Sequence, residues 1–327
     1  MSLLNSLKKR LTNQFLSIIV YEEQCNIKQK IIKNSKMIHK EEFNLDIKSQ
    51  DELGGKVINF INDLQSQYDN TYIALFLNTL GQGLIPGCNV DDLQKFNIDK
   101  DGVKTICKDG RFLMYATHID IKWADNLFVK TGLDFIFSPF LVLDYFIKKE
   151  MKKDSFNKEI RVLYLLNSKN SLTLMIEQND KVLYGTFFSK IKDDNLLHTD
   201  YEDEIVNTQE LDELDLDNID ELGMEDMLNA ASQNDNLTTL LEDDYILSEE
   251  DEKIIKYINS SLKEFYSNEL YDSDFVCTLK IFDNVGLKEG VVKYIENELL
   301  LNCTVDSVNI SDALLDLSIK EALDIDV

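Results

Sequence analysis

Val276–Leu323 reads VCTLKIFDNVGLKEGVVKYIENELLLNCTVDSVNISDALLDLSIKEAL, and its order of elements decides the fold. Val276–Phe282 is a short β-rich run, and Asp283–Gly286 is a turn. A helix is predicted from Leu287, with Val291, Val292, Ile295, Leu299 and Leu300 at apolar spacing. Thr304–Val308 is a second strand-like run. A last helix, Ser311–Leu323, takes Ser311–Asp312 as cap and first-turn acid. It sets Leu314, Leu315, Ile319 and Leu323 on one face. Strand, turn, helix, strand, helix is the closing unit of an α/β fold.

Outward from that unit the pattern continues. Upstream, Glu249–Tyr266 is predicted helical, capped by Ser248, with acids at its positive end and a stripe from Ile254 to Phe265. Near the start, Phe15–Val20, Cys25–Ile32 and Lys36–Phe43 read as a meander of strands. Ser49–Gln67 follows as a helix with Ser49 as its cap, then Tyr72–Leu77 as a strand. Gly81–Gly102 is turn-rich. Phe112–Thr117 is a strand and His118–Thr131 a helix stopped at Gly132. Ser138-Pro139 opens another helix, Phe140–Met151. Arg161–Leu166, Ser171–Glu177 and Lys181–Phe188 form a second meander, 145 residues after the first when Lys181 is set on Lys36. That offset points to internal duplication, with lobes expected at 1–150 and 151–327.

The chain has 327 residues and 44% apolar content, enough for a large core. No apolar run approaches the ~20 residues that span a bilayer. Met1–Leu16 lacks a long apolar stretch and a cleavage site, so no signal peptide is read there. Leu3–Leu11 sets leucines against Lys8, Lys9 and Arg10. It reads either as a lead-in or as a contact for a membrane surface or partner. Cys25, Cys88, Cys107, Cys277 and Cys303 are odd in number and widely spaced. They are expected to be reduced thiols of a cytoplasmic protein.

Charge is concentrated. Residues 193–252 hold 23 acidic residues and no Lys or Arg, so the rest of the chain carries −3 of the net −26. The tract is expected to be an insertion, partly disordered and solvated. No broad basic patch exists, which argues against nucleic acid as a partner. His39, His118 and His198 have no Cys or acid at ligand spacing, and Gly81-Gln82-Gly83 lacks a following Gly-Lys-Ser. The acidic tract lacks a calcium-loop pattern. No metal, cofactor or catalytic residue is therefore expected.

Three stretches carry a family resemblance: Arg111–Ile147, Arg161–Phe188 and Ile254–Leu299. Their run of elements resembles the PilM family, the actin-like component of type IV pilus inner-membrane platforms. It is also similar to the cytoplasmic part of the type II secretion L-type protein. The resemblance implies an α/β, actin-like (ribonuclease H-like) two-lobed fold. It implies a cytoplasmic protein, peripheral at the inner membrane, that binds the N-terminal tail of a bitopic, PilN-like partner. The tail would add to a groove within Gly81–Gly132. Trp123 and Phe128 are the candidate anchors, since buried aromatics dominate such contacts. A Trp inside a helix also suits a core. The machine would be a pilus, transformation or secretion platform, or a pilus-derived accessory structure of the flagellar motor, with a homo-oligomeric ring as one form.

The departures from the family matter. An actin-like ATPase places an acid and glycines at two phosphate turns, so that backbone N–H groups approach phosphate. Here the turns are Tyr21-Glu22-Glu23-Gln24 and Asn167-Ser168-Lys169-Asn170, and Asp283-Asn284-Val285-Gly286 replaces a double glycine. The expectation is a degenerate nucleotide site in a non-catalytic scaffold. The alternatives are an active actin-like ATPase and an acidic regulator that binds basic surfaces through residues 193–252.

Overall fold

The computed structural model describes residues 10–152, 158–191 and 247–324. The expected acidic insertion lies outside them up to residue 246, as does the Leu3–Leu11 segment except for its last two residues.

Two five-stranded sheets share one connectivity. The first runs β3-β2-β1-β4-β8 and the second β11-β10-β9-β12-β13. In the first, β1 (Thr12–Val20), β2 (Gln24–Lys33) and β3 (Lys36–Asp46) form an antiparallel meander. β4 (Asn70–Phe76) and β8 (Phe135–Phe137) then add in parallel beside β1. The second sheet repeats this with the meander β9 (Val162–Asn167), β10 (Ser171–Gln178) and β11 (Lys181–Ser189). β12 (Thr278–Asp283) and β13 (Asn302–Ser307) are its parallel strands. β1 and β9 are buried along nearly their whole length because both faces of a central strand are covered, and in β1 this buries Asn13, Gln14 and Ser17 along with the apolar residues.

Helices cover the sheets in five alternating layers. α1 (Gly54–Ser66) and α2 (His118–Leu127) cover the outer face of the first sheet through Val57, Ile61, Ala124 and Leu127. α4 (Glu249–Ser267) and α5 (Glu289–Glu298) cover the outer face of the second through Ile254, Ile258, Val291 and Ile295. Between the sheets lie α3 (Pro139–Glu150) and α6 (Ile310–Leu323). α3 packs on β9 and β10, whereas α6 packs on β1 and β4. Each half of the chain therefore lends its last helix to the other half's sheet. The division expected at residue 150 separates the sheets but not the packing.

Most helix starts follow from their caps. Thr117 accepts from Asp120 N, Ser138 from Phe140 N, and Ser248 with Asp251 forms a capping box. Two expectations are corrected. α1 starts at Gly54, not after Ser49, because residues 49–52 form a tight turn whose Ser49 Oγ accepts from Asp51 N. α6 is capped by Asn309, whose side chain accepts from Asp312 N at 2.9 Å, and not by Ser311, which is the second helical residue.

A third, three-stranded sheet, β5-β7-β6, projects from the first lobe. It comprises β5 (Gln82–Pro86), β6 (Val103–Lys108) and β7 (Phe112–Thr117), with a 3-10 helix over Val90–Phe96. Sequence reasoning saw only β7. Gly83 and Gly185 show how tightly this sheet is held. A Cβ on Gly83 would lie 2.2 Å from the Tyr115 hydroxyl, and one on Gly185 of β11 would lie 2.8 Å from Leu84.

Candidate partner groove and inter-lobe cleft

The small sheet and the first lobe enclose a groove of about 340 Å³. Ile106 of β6 and Met114 of β7 form one wall, while Ile121 of α2, Leu133, Ile136 and Leu141 form the other. Lys104, Asp125 and Asp134 supply charge at its rim. Asp134 is fixed there by accepting Ile73 N at 2.8 Å. Ile106 is 56% exposed. An apolar side chain of that size, exposed to water where it lines an apolar groove, suits a contact surface.

The two expected anchors sit elsewhere. Phe128 is 1% exposed and belongs to the first-lobe core with Leu127 and Ala124. Trp123 packs against the same core and donates from Nε1 to Asp51 Oδ1 at 3.0 Å. Neither lines the groove. The helix period explains this: Trp123, Ala124, Leu127 and Phe128 share the face toward the sheet, whereas Ile121 and Asp125 share the groove face.

The cysteine expectation is also corrected. Cys88 and Cys107 are disulfide-bonded and tie the loop after β5 to β6. Cys25 is buried and free, and burial pushes its thiol up to about 12.

A charge cluster joins the small sheet to the second lobe. Arg111, just before β7, bonds Asp144 of α3 at 2.5 Å, Glu177 of β10 at 2.6 Å and the Asp180 carbonyl at 2.9 Å. Lys148 bridges Asp144 and Asp109. Burial is the main influence on Glu177 and raises its carboxyl to about 7, although Arg111 opposes that shift. No motif announces this cluster, because its bonded partners lie up to 69 residues apart.

The three turns singled out in the sequence lie at the cleft between the lobes. At the second hairpin, Lys190 Nζ bonds Asn167 Oδ1 and the Ser168 carbonyl, while Ser168 and Ser171 hydroxyls pair at 2.7 Å. Burial lowers Lys190 to about 8. Asn167 Nδ2 donates to Asp283 Oδ1 at 2.8 Å. Asp283 Oδ2 accepts Gly286 N and Leu287 N at 2.9 and 2.6 Å. Lys169 lies over the Tyr21 ring at 4.9 Å, so the two hairpins touch across the cleft. Lys190, Asn167, Ser168 and Asp283 are thus engaged by one another, while Asn170 Nδ2 of the same turn is buried without a hydrogen-bond partner. Among the described residues there is no cluster of three or more His, Cys, Asp or Glu placed to hold a metal ion.

Residues 11–144 match a family described as "Domain of unknown function (DUF8569)", and residues 163–323 match one described as "Domain of unknown function (DUF8341)". No curated protein matches the sequence. Among solved structures, the chain is similar to a Bacteroides thetaiotaomicron protein "with actin-like ATPase fold and unknown function". The identity is 9%, the coverage 94% of this chain and 97% of that one, and the TM-score 0.50. It is also similar to a structure titled "PilM-PilN type IV pilus biogenesis complex", at 11% identity, 96% coverage of each chain and a TM-score of 0.49. The duplicated sheets and exchanged helices described above are those of a two-lobed actin-like fold, and this chain has that fold.

Proposed function

We propose that this chain is a non-catalytic scaffold of an inner-membrane envelope machine. Its groove between β6–β7 and α2 takes the short cytoplasmic N-terminal tail of a single-pass, PilN-like membrane partner. The groove itself is the observation that carries the reading: an apolar cleft on the first lobe, bordered by the exposed strand β6. An extended tail gains backbone hydrogen bonds along such an edge and seats alternate side chains in the cleft. The sequence resemblance to the PilM family supports the choice of partner. The engaged hairpins of the inter-lobe cleft support the absence of turnover, since Lys190, Asn167 and Asp283 already satisfy one another. On this reading the protein works in the cytoplasm, held at the inner membrane by its partner.

The test is site-specific photo-crosslinking in the native cells, with the probe at Ile106 in the groove and a control probe at exposed Leu300. The expected adduct at Ile106, absent at Leu300, is a bitopic protein joined through its cytoplasmic residues. Adducts with soluble proteins alone would overturn the proposal. In a parallel titration, labelled ATP is expected to show no saturable binding up to millimolar concentration. Saturable binding with turnover would favour the ATPase instead.

A further inference from the structure

The first sheet ends in β3, an edge strand of eleven residues, Lys36–Asp46, nine of them exposed. Met37 and Ile38 are 59% and 56% exposed. An edge of this length presents a row of unpaired backbone N–H and C=O groups, and proteins usually blunt it with like charges. β3 is charged differently. Its first half carries Lys36 and Lys40, and its second half carries Glu41, Glu42 and Asp46. Parallel pairing of two such strands sets like charge on like, whereas antiparallel pairing sets opposite charges together. The other exposed edges lack this property. β6 carries only Lys104 and Lys108, and β13 carries the single charge Asp306, so neither has opposite charges in its two halves.

We infer that two copies of this chain pair antiparallel through β3, joining their first sheets into one continuous sheet.

The register follows from symmetry. A two-fold axis normal to the sheet keeps each face on its own side, so opposed residues must have equal parity and the axis must pass through one residue. β3 is regular from His39 to Asp46 but bulged at Met37–His39, so centres at or before His39 cross the bulge. Centring on Lys40, Glu41 or Glu42 opposes identical charges. Centring on Asn44 opposes Glu42 and Asp46. Centring on Leu45 pairs only three residues of the strand, whereas centring on Phe43 pairs seven and avoids every like-charge pair. The Phe43 register sets Lys40 against Asp46 twice, Glu42 against Asn44 twice, and the two Phe43 rings together. Each Phe43 is already braced edge-on by Phe60 of its own α1 at 4.9 Å. Aromatic and opposite-charge cross-strand pairs are the ones that stabilise a sheet.

Sedimentation at physiological salt tests this. The wild-type protein is expected to show a concentration-dependent dimer. D46K, at an exposed position, is expected to raise the dimer Kd about tenfold or more, because two attractive pairs become repulsive. K40E is expected to do the same, and the double variant K40E/D46K to restore the wild-type Kd. Melting curves check that each variant is folded. A wild-type monomer at every concentration, a D46K dimer as tight as wild type, or a folded double variant no tighter than D46K would each overturn the inference. D46K decides the matter alone if K40E, which also loses the 2.8 Å pair with Asp312, fails to fold.

Discussion

Glu177 is a residue at which this molecule responds to pH. Its side chain is almost fully buried, and only one carboxylate oxygen meets Arg111; Oε2 has no hydrogen-bond partner. Burial favours the protonated form, and the value rises from 4.5 to about 7. A group raised on folding contributes stability that is complete below its unfolded value and is lost as pH rises through its folded value. The melting temperature should therefore fall as pH climbs from 4.5 to about 7. E177Q should flatten that slope when melting curves are taken across the window. An unchanged slope in E177Q would remove Glu177 as the cause. Glu177 had looked like an ordinary strand residue, because burial of an alternate position depends on which element lies over it.

At the scale of elements, the small sheet is where sequence reasoning fell short. Gly81–Gly102 read as turns because Gly81, Gly83, Pro86 and Gly87 punctuate it. β5 and β6 are only five and six residues long, and they are strands because β7 pairs with both. Helices with strong caps and apolar stripes were legible, since those signals are local. The disulfide was not, because Cys88 and Cys107 meet only once β6 folds back beside β7. Closing a loop across a separation of 19 residues removes unfolded-state freedom. Replacing both cysteines by Ser should cost about 3 kcal/mol in the chain-entropy estimate. A fall in the urea midpoint together with faster amide exchange in β5–β7 would report it. Unchanged exchange there would show that β7 pairing alone holds the sheet.

For the whole molecule, the exchange of helices couples the two sheets. Leu315, Ile319 and Leu323 of α6 pack with Phe15 and Ile32 of the first sheet, while Leu314 joins the core against the second. Asp312 and Asp316 reach back to Lys28 and Lys30 of β2 at 2.9 and 2.8 Å, which is how two lysines come to be buried in a sheet. I319A leaves a cavity between α6 and the first sheet. It should lower global stability by about 2–5 kcal/mol. Far-UV and near-UV urea transitions should still coincide, because neither sheet keeps its cover without the other half. Separate transitions would show that the lobes fold independently.

The class of fold, the two meanders, the helix stripes and the concentration of charge in one tract were legible from the residues alone. These are properties of period, cap and composition, which act over a few residues. Only the tertiary structure decided which sheet each interior helix covers, which face of α2 lines the groove, where the cysteines and charges meet, and which strand edge is left open. The physical reason is common to all four. Each depends on contacts between residues far apart in the chain, and no local pattern encodes a neighbour that only folding supplies.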